Sequence, residues 1–203
     1  ENNANISLDT STITVTDAAS KDDAVAINNF TNAQVTLQKV EDTVSNITSI
    51  DGLTTSEVSM TAAAVTVTDA ASLADASAIN GFTDGLVTLQ KVEDTVSNIT
   101  SIDGIDSKDV SMSAAAVTVT DAASLADATA INGFTDGLVT LNSVEDTYLK
   151  IQDIKSIDDG EVDMGAAAVK VSDNVTKTEV DDLRIDTTGN ITLTSLTEDK
   201  GDL

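Results

Sequence analysis

The chain has 203 residues, 35 acidic against 10 basic side chains and a net charge of −25, with no histidine, cysteine, proline or tryptophan. Those absences exclude Ser-His-Asp and Cys-His catalysis, zinc sites and disulfide staples. The charge argues against nucleic acid and anionic lipid, which need a basic footprint, and no apolar run approaches the roughly 18 residues of a membrane-spanning helix.

Self-comparison decides the organisation. Ile6-Ser7-Leu8 recurs as Val58-Ser59-Met60, Val110-Ser111-Met112 and Val162-Asp163-Met164, so a period of 52 residues runs through the sequence. Residues 58–89 and 110–141 differ only at Thr61/Ser113 and Ser77/Thr129, and Val35 to Gly52 returns unchanged as Val87 to Gly104. The units are 6–57, 58–109, 110–161 and a shortened, divergent 162–203, in one array spanning 1–203.

Within a unit the expected elements follow in order. Val58-Ser59-Met60 reads as a short strand, and the alanines Ala62 to Ala64 would let neighbouring backbones approach closely. Ala64-Val65-Thr66-Val67-Thr68 alternates with period two and is β-branched, the pattern of a strand. Ser72 and Asp75 then form a capping-box pair, repeated as Ser20/Asp23, Ser124/Asp127 and Thr176/Glu179. The helix they open carries Leu73, Ala76 and Ile79 on one face and is expected to stop at Gly81 in the left-handed conformation, with Asn29 in that place in the first unit. Asp84-Gly85 supplies a turn and Leu86 to Leu89 another strand. Val92, Val96, Ile99 and Ile102 form a helical stripe, with Ser143/Asp146 and Ser195/Glu198 as its start in two units and Lys39 or Lys91 in the others.

These elements predict a β-rich α/β repeat, a solenoid of parallel short strands with short helices in four 52-residue units. Each unit is too small to bury its own faces and gains stability by stacking on the next. The alternative is a string of four semi-independent α/β units. In the last unit Asp186 stands where Phe30, Phe82 and Phe134 stand, and Ile185 replaces the capping glycine. Terminal repeats commonly differ in this way. Open ends of a solenoid are also sheet ends, so head-to-tail self-association is expected.

The alternation of Val65-Thr-Val-Thr-Asp-Ala-Ala-Ser72 with Val87-Thr-Leu-Gln-Lys-Val-Glu-Asp-Thr-Val-Ser-Asn-Ile-Thr-Ser-Ile-Asp103 resembles the tandem repeats of giant bacterial cell-surface proteins. Those proteins are of the cyanobacterial type, surface-layer or adhesin-like, often beside calcium-binding repeats. The resemblance covers essentially the whole chain. It implies secretion, stacked β-rich repeats and a structural, adhesive or surface-layer role. The nonapeptide calcium signature of that neighbourhood is absent here, so calcium does not carry over.

Aspartates are the one plausible ligand set. Asp17, Asp69, Asp121 and Asp173 share one repeat position, Asp42, Asp94 and Asp146 a second, and Asp51 and Asp103 a third. Stacked into ladders, they could offer calcium the six to eight oxygens it prefers. The structural alternative places them at helix N-termini, where the dipole favours acids, with the rest forming a solvated face. The threonine pairs Thr14/Thr16, Thr66/Thr68 and Thr118/Thr120 look like the outward arrays of ice-binding solenoids, yet ordinary half-buried strands have the same composition. Six Asn-x-Ser/Thr sequons begin at Asn5, Asn29, Asn46, Asn98, Asn174 and Asn190. Paired carboxylates could serve glycosidase chemistry, but near-identical copies would give several equivalent sites where an enzyme needs one asymmetric pocket.

The sequence therefore leads to a non-enzymatic, extracellular structural protein: a surface-layer component, filament subunit, spacer or adhesin stalk. The alternative is a calcium-dependent adhesion or glycan-binding module acting on a cell surface, with the variable segment Ser101 to Asp109 against Asp153 to Glu161 as its natural specificity loop. No nucleic acid and no membrane insertion are expected.

Overall fold

A computed structural model describes residues 8–53, 57–106, 108–157 and 161–197. Asn5, Ile6, Ser7, Glu198 and parts of the variable loops at 101–109 and 153–161 lie outside the described residues. The chain divides into two compact bodies, Glu1–Gln90 with Ile105–Ser111, and Lys91–Gly104 with Met112–Leu203.

The first body contains β1 (Ile13–Ala19), α1 (Lys21–Asn28), β2 (Val35–Asp42), α2 (Val44–Asp51), β3 (Val58–Ser59), β4 (Ala64–Ala71) and α3 (Leu73–Asn80). It also holds the opening residues of β5 (Val87–Asp94) and the whole of β6 (Val110–Ser111). Its strand order is β1-β2-β4-β5, with β3 beside β2 and β6 beside β5. The second body takes the end of β5, α4 (Val96–Asp103), β7 (Ala116–Ala123), α5 (Leu125–Asn132), β8 (Val139–Asp146) and α6 (Tyr148–Ile154). It continues through β9 (Val162–Asp163), β10 (Ala168–Thr176), α7 (Lys177–Asp186) and β11 (Ile191–Thr197), in the order β5-β7-β8-β10-β11 with β9 beside β8. The strand pairs are parallel. Within each body the chain thus winds strand, helix, strand, in the manner of a solenoid.

Strand periodicity builds the core. In β2, Val35, Leu37 and Val40 are buried, while Gln38, Lys39 and Glu41 face water. Helices of about eight residues supply the opposing layer: Ile47 and Ile50 from α2, Ala76 and Ile79 from α3. Burying such a side chain contributes roughly 1.5–3 kcal/mol. Neighbouring sequence repeats share sheet rather than forming separate beads, through Val40↔Val65 in the first body and Val144↔Val169 in the second.

Two local expectations differ from the structure, and a third is met at a definite place. Gly81 and Asn29 are right-handed, with φ −72° and −70°, because the helix ends by tightening: the Phe82 N–H donates to the Ile79 carbonyl at 3.0 Å. The second helix of a unit begins later than its apolar stripe. Val92 and Asp94 belong to β5, and Thr95 caps α4 by accepting from the Asn98 N–H at 3.3 Å. Accordingly Lys39, Lys91, Ser143 and Ser195 sit in strands. The close backbone approach expected at the triple alanine falls on its middle region: a Cβ on Gly85, Gly137 or Gly189 would strike the backbone of Ala63, Ala115 or Ala167.

Candidate functional site

A helix leaves its first N–H groups without internal acceptors. Here the strands satisfy them. At α1, the Ser20 hydroxyl accepts from the Asp23 N–H at 3.2 Å, and the Asp23 carboxylate accepts from the Ser20 N–H at 3.0 Å. The Lys21 N–H donates to Asp42 on β2, 2.9 Å away and 21 residues along the chain. At α2, the Thr43 N–H donates to Asp42 itself at 2.8 Å, and the Val44 N–H donates to Asp69 on β4, also at 2.8 Å and 25 residues along. Asp42 therefore bridges α1 and α2, while Asp69 ties α2 to the strand that follows.

The arrangement recurs. The Val96 N–H donates to Asp121 at 2.8 Å, and the Tyr148 N–H to Asp173 at 2.9 Å. The Leu125 N–H donates to Asp146 at 3.2 Å. A β-bulge aims the Asp121 and Asp173 set: register shifts between Val119 and Ala122 and between Val171 and Asn174 insert one extra residue. The same bulge lies between Val15 and Ala18 around Asp17, which closes no helix N-terminus among the described residues.

Electrostatics follow the donors. Burial pushes the Asp42 carboxyl up, but the N–H of Lys21, the Asn46 amide and the N–H of Thr43 outweigh it and hold the group below its ordinary range. Asp146 is only 8% exposed. Its burial is likewise overcome, by the N–H groups of Thr147 and Leu125 and by Lys150, leaving its carboxyl lowered. Asp94 accepts from the Thr95 N–H and the Asn98 amide, both at 2.8 Å. Asp51 and Asp103 are different: they end α2 and α4 and are exposed. Among the described residues no group of three or more acidic side chains is placed to hold a metal. The side-chain amides of the sequon residues Asn46 and Asn98 are engaged with Asp42 and Asp94.

Sequence reasoning missed a second recurring device. Thr31, Thr83, Thr135 and Thr187 are buried. Their hydroxyls donate to the carbonyls of Ser11, Ala63, Ala115 and Ala167 at 2.6–2.7 Å. Each also accepts from the N–H two residues on, at Ala33, Gly85, Gly137 and Gly189. The available signal was persistence: the threonine survives in the last unit, where the preceding phenylalanine has become Asp186.

Comparison with family models, curated proteins and solved structures finds no match. Chemically, the recurring groups are acceptors for peptide N–H and donors to peptide carbonyls, so what they accomplish is attachment of one turn of chain to the next.

Proposed function

We propose that this protein is a non-enzymatic extracellular structural repeat protein, a spacer, surface-layer component, filament subunit or adhesin stalk built by stacking four 52-residue units. The carrying observation is the recurrence of strand carboxylates on preceding helix N-termini at separations of 21 and 25 residues. Each added unit brings the groups that fasten it to the one before, so copy number sets length. The absence of histidine and cysteine, the charge of −25 and the likeness to bacterial surface repeats support the non-catalytic and extracellular parts of the reading.

The test is insertion of an extra copy of residues 58–109, with maximum dimension measured by small-angle X-ray scattering. Two further strand rungs at about 4.8 Å each lengthen the particle by about 10 Å. A separately folded bead of that size adds its own diameter, about 25 Å, and that result would overturn the stacked spacer. The second reading, a calcium-dependent adhesion or glycan-binding module, draws on the exposed Asp51 and Asp103. Calcium held at about a hundredfold its Kd would add about 2.7 kcal/mol to unfolding; an unchanged thermal midpoint in chelator and in calcium removes that reading.

A further inference from the structure

Between the entries to β2 and β3 lies an open cavity of about 290 Å³, lined by Asn28, Asn29, Thr31, Asn32, Ala33 and Glu57. Its walls are two successive turns of the first body, joined where the Val35 N–H donates to the Glu57 carbonyl at 2.7 Å. Toward β1, the Asn32 N–H donates to the Asp9 carbonyl at 2.9 Å and the Thr31 hydroxyl to the Ser11 carbonyl at 2.7 Å. β1 and β3 pair with β2 on opposite edges, so paired turns frame the cavity on the side away from β1.

The lining is mostly amide and carboxylate. Among the described residues, the hydrogen bonds of this loop run through backbone groups and the Thr31 hydroxyl, none through the side chains of Asn28, Asn29, Asn32 or Glu57. In the third unit the positions of Asn28 and Glu57 face each other: the Asn132 amide donates to Glu161 at 3.4 Å. The sequence departs from its copies at this loop. Val35 to Gly52 returns unchanged in the second unit, yet Asn29, Asn32 and Ala33 stand where Gly81, Asp84 and Gly85 follow, and Gly133, Asp136 and Gly137 after them. The exchanges add two amides and remove one acid, leaving Glu57 as the single charge of the lining.

That chemistry selects a ligand class. At roughly 30 Å³ per water the cavity has room for about nine or ten waters, far more than a bare cation needs, and it offers one carboxylate. Glu57 repels an anion, and an apolar ligand would strip water from four polar side chains without replacing it. A hydroxyl both donates and accepts, as each carboxamide does, and a carboxylate can accept from two neighbouring hydroxyls at once. The volume lies at the low end of small-molecule sites, roughly 300–1,000 Å³, which suits one sugar ring. We propose that this cavity binds a neutral saccharide, with Glu57 accepting from adjacent hydroxyls and Asn28, Asn29 and Asn32 serving the others. The site goes beyond the stacked spacer, which it neither needs nor alters, and unlike the calcium-dependent module it requires no metal.

The test titrates glucose, galactose, mannose and N-acetylglucosamine into the full chain in chelator, with glucuronate as the charged control, followed by saturation-transfer and amide NMR. At least one neutral sugar should bind in the millimolar range and shift the amide signals of residues 28–33 and 57. Glucuronate should bind several-fold more weakly than glucose. Glu57 and Asn32 are exposed, so Glu57→Gln and Asn32→Asp, the latter copying the second unit, should each leave the thermal midpoint in place. Each should weaken sugar binding about tenfold. If Glu57→Gln disturbs the fold, Asn32→Asp carries the test alone. No binding by any sugar of the panel, or binding that both substitutions leave unchanged, overturns the site. Binding that appears only when calcium replaces chelator also overturns it and favours the calcium-dependent module. Lengthening on insertion of 58–109 is read separately, so the spacer reading stands or falls without this site.

Discussion

Helices α2 and α4 have the same sequence, Val-Ser-Asn-Ile-Thr-Ser-Ile-Asp, whereas α6 in the corresponding place reads Tyr-Leu-Lys-Ile-Gln-Asp-Ile. The third residue separates them. In α2 and α4 it is Asn46 or Asn98, whose neutral amide donates to Asp42 or Asp94 at 2.8 Å. In α6 it is Lys150, whose ammonium lies 3.3 Å from Asp146. Around α6 and α7 charge takes over generally: Lys155 pairs with Asp186, Lys170 with Glu145, and Asp181 with both Lys177 and Arg184. Tyr148 and Gln152 of α6 donate to Asp182 and Asp186 of α7. The backbone bonds of the carboxylates are nevertheless alike in both regions. What the fold requires at a helix start is an acceptor for peptide N–H groups; how the acceptor is itself steadied is free to vary.

If that distinction is right, substitutions at the shared devices should hurt both regions equally and most. Thr83→Val and Thr187→Val each remove a hydroxyl that serves a carbonyl and an N–H in the interior. Leaving those groups without partners is expected to cost about 2–4 kcal/mol at either place, read by urea unfolding. A loss at Thr83 alone would mean the last coil is held by its ion pairs and not by the common clamp.

Removing the bridging carboxylate comes next. Asp146→Ala strips acceptors from Leu125 and Thr147 and leaves Lys150 unpaired, at an expected cost of about 2–3 kcal/mol; Asp42→Ala, in a wetter place, should cost about half of that. The pH dependence follows from the lowered carboxyls of Asp42 and Asp146. A group whose folded pKa lies below its unfolded value stabilises above the unfolded pKa, about 3.9 for aspartate, and loses that contribution as pH falls through the folded value. The acid limb below about pH 4 should therefore flatten in Asp42→Asn and in Asp146→Asn relative to the parent. An unchanged limb in both variants would remove these two residues from the acid response.

The legible and illegible parts of this structure divide by range. Ser72 and Asp75 announce a helix start because the reciprocal bonds span three residues and need nothing else. The stripe Val92, Val96, Ile99 and Ile102 misplaced the next helix because one spacing of four serves both a strand end and a helix start. Two adjacent exposed residues in the strand, Gln90 and Lys91, are the break in alternation that a strict helical count overlooks. That Asp69 serves a helix N-terminus was one reading of the sequence, but which helix it serves was not legible. It depends on a backbone 25 residues away, brought near only once the strands have paired in register. Position 85 shows a middle case: three units have glycine and the first has Ala33, a difference visible in the sequence but meaningful only once the Ala63 backbone is seen beneath it.

The smallest effect makes the sharpest test of the comparison. Lys150→Asn installs in α6 the amide that α2 and α4 use, and Asn98→Lys does the reverse. If the requirement is a donor to the carboxylate, both exchanges should change stability by no more than about 0.5 kcal/mol at moderate salt, because the Lys150 side chain is 57% exposed and water screens the pair. The salt response should move even where the total does not. Lys150→Asn should lose part of the parent's decline in stability with added sodium chloride, and Asn98→Lys should gain a comparable dependence. A loss well above 1 kcal/mol in Lys150→Asn would show instead that Asp146, buried as it is, needs a neutralising charge that Asp42 in its wetter setting does not. The two regions would then be held by different physics, and the identical helices could not simply be copied into the place of α6.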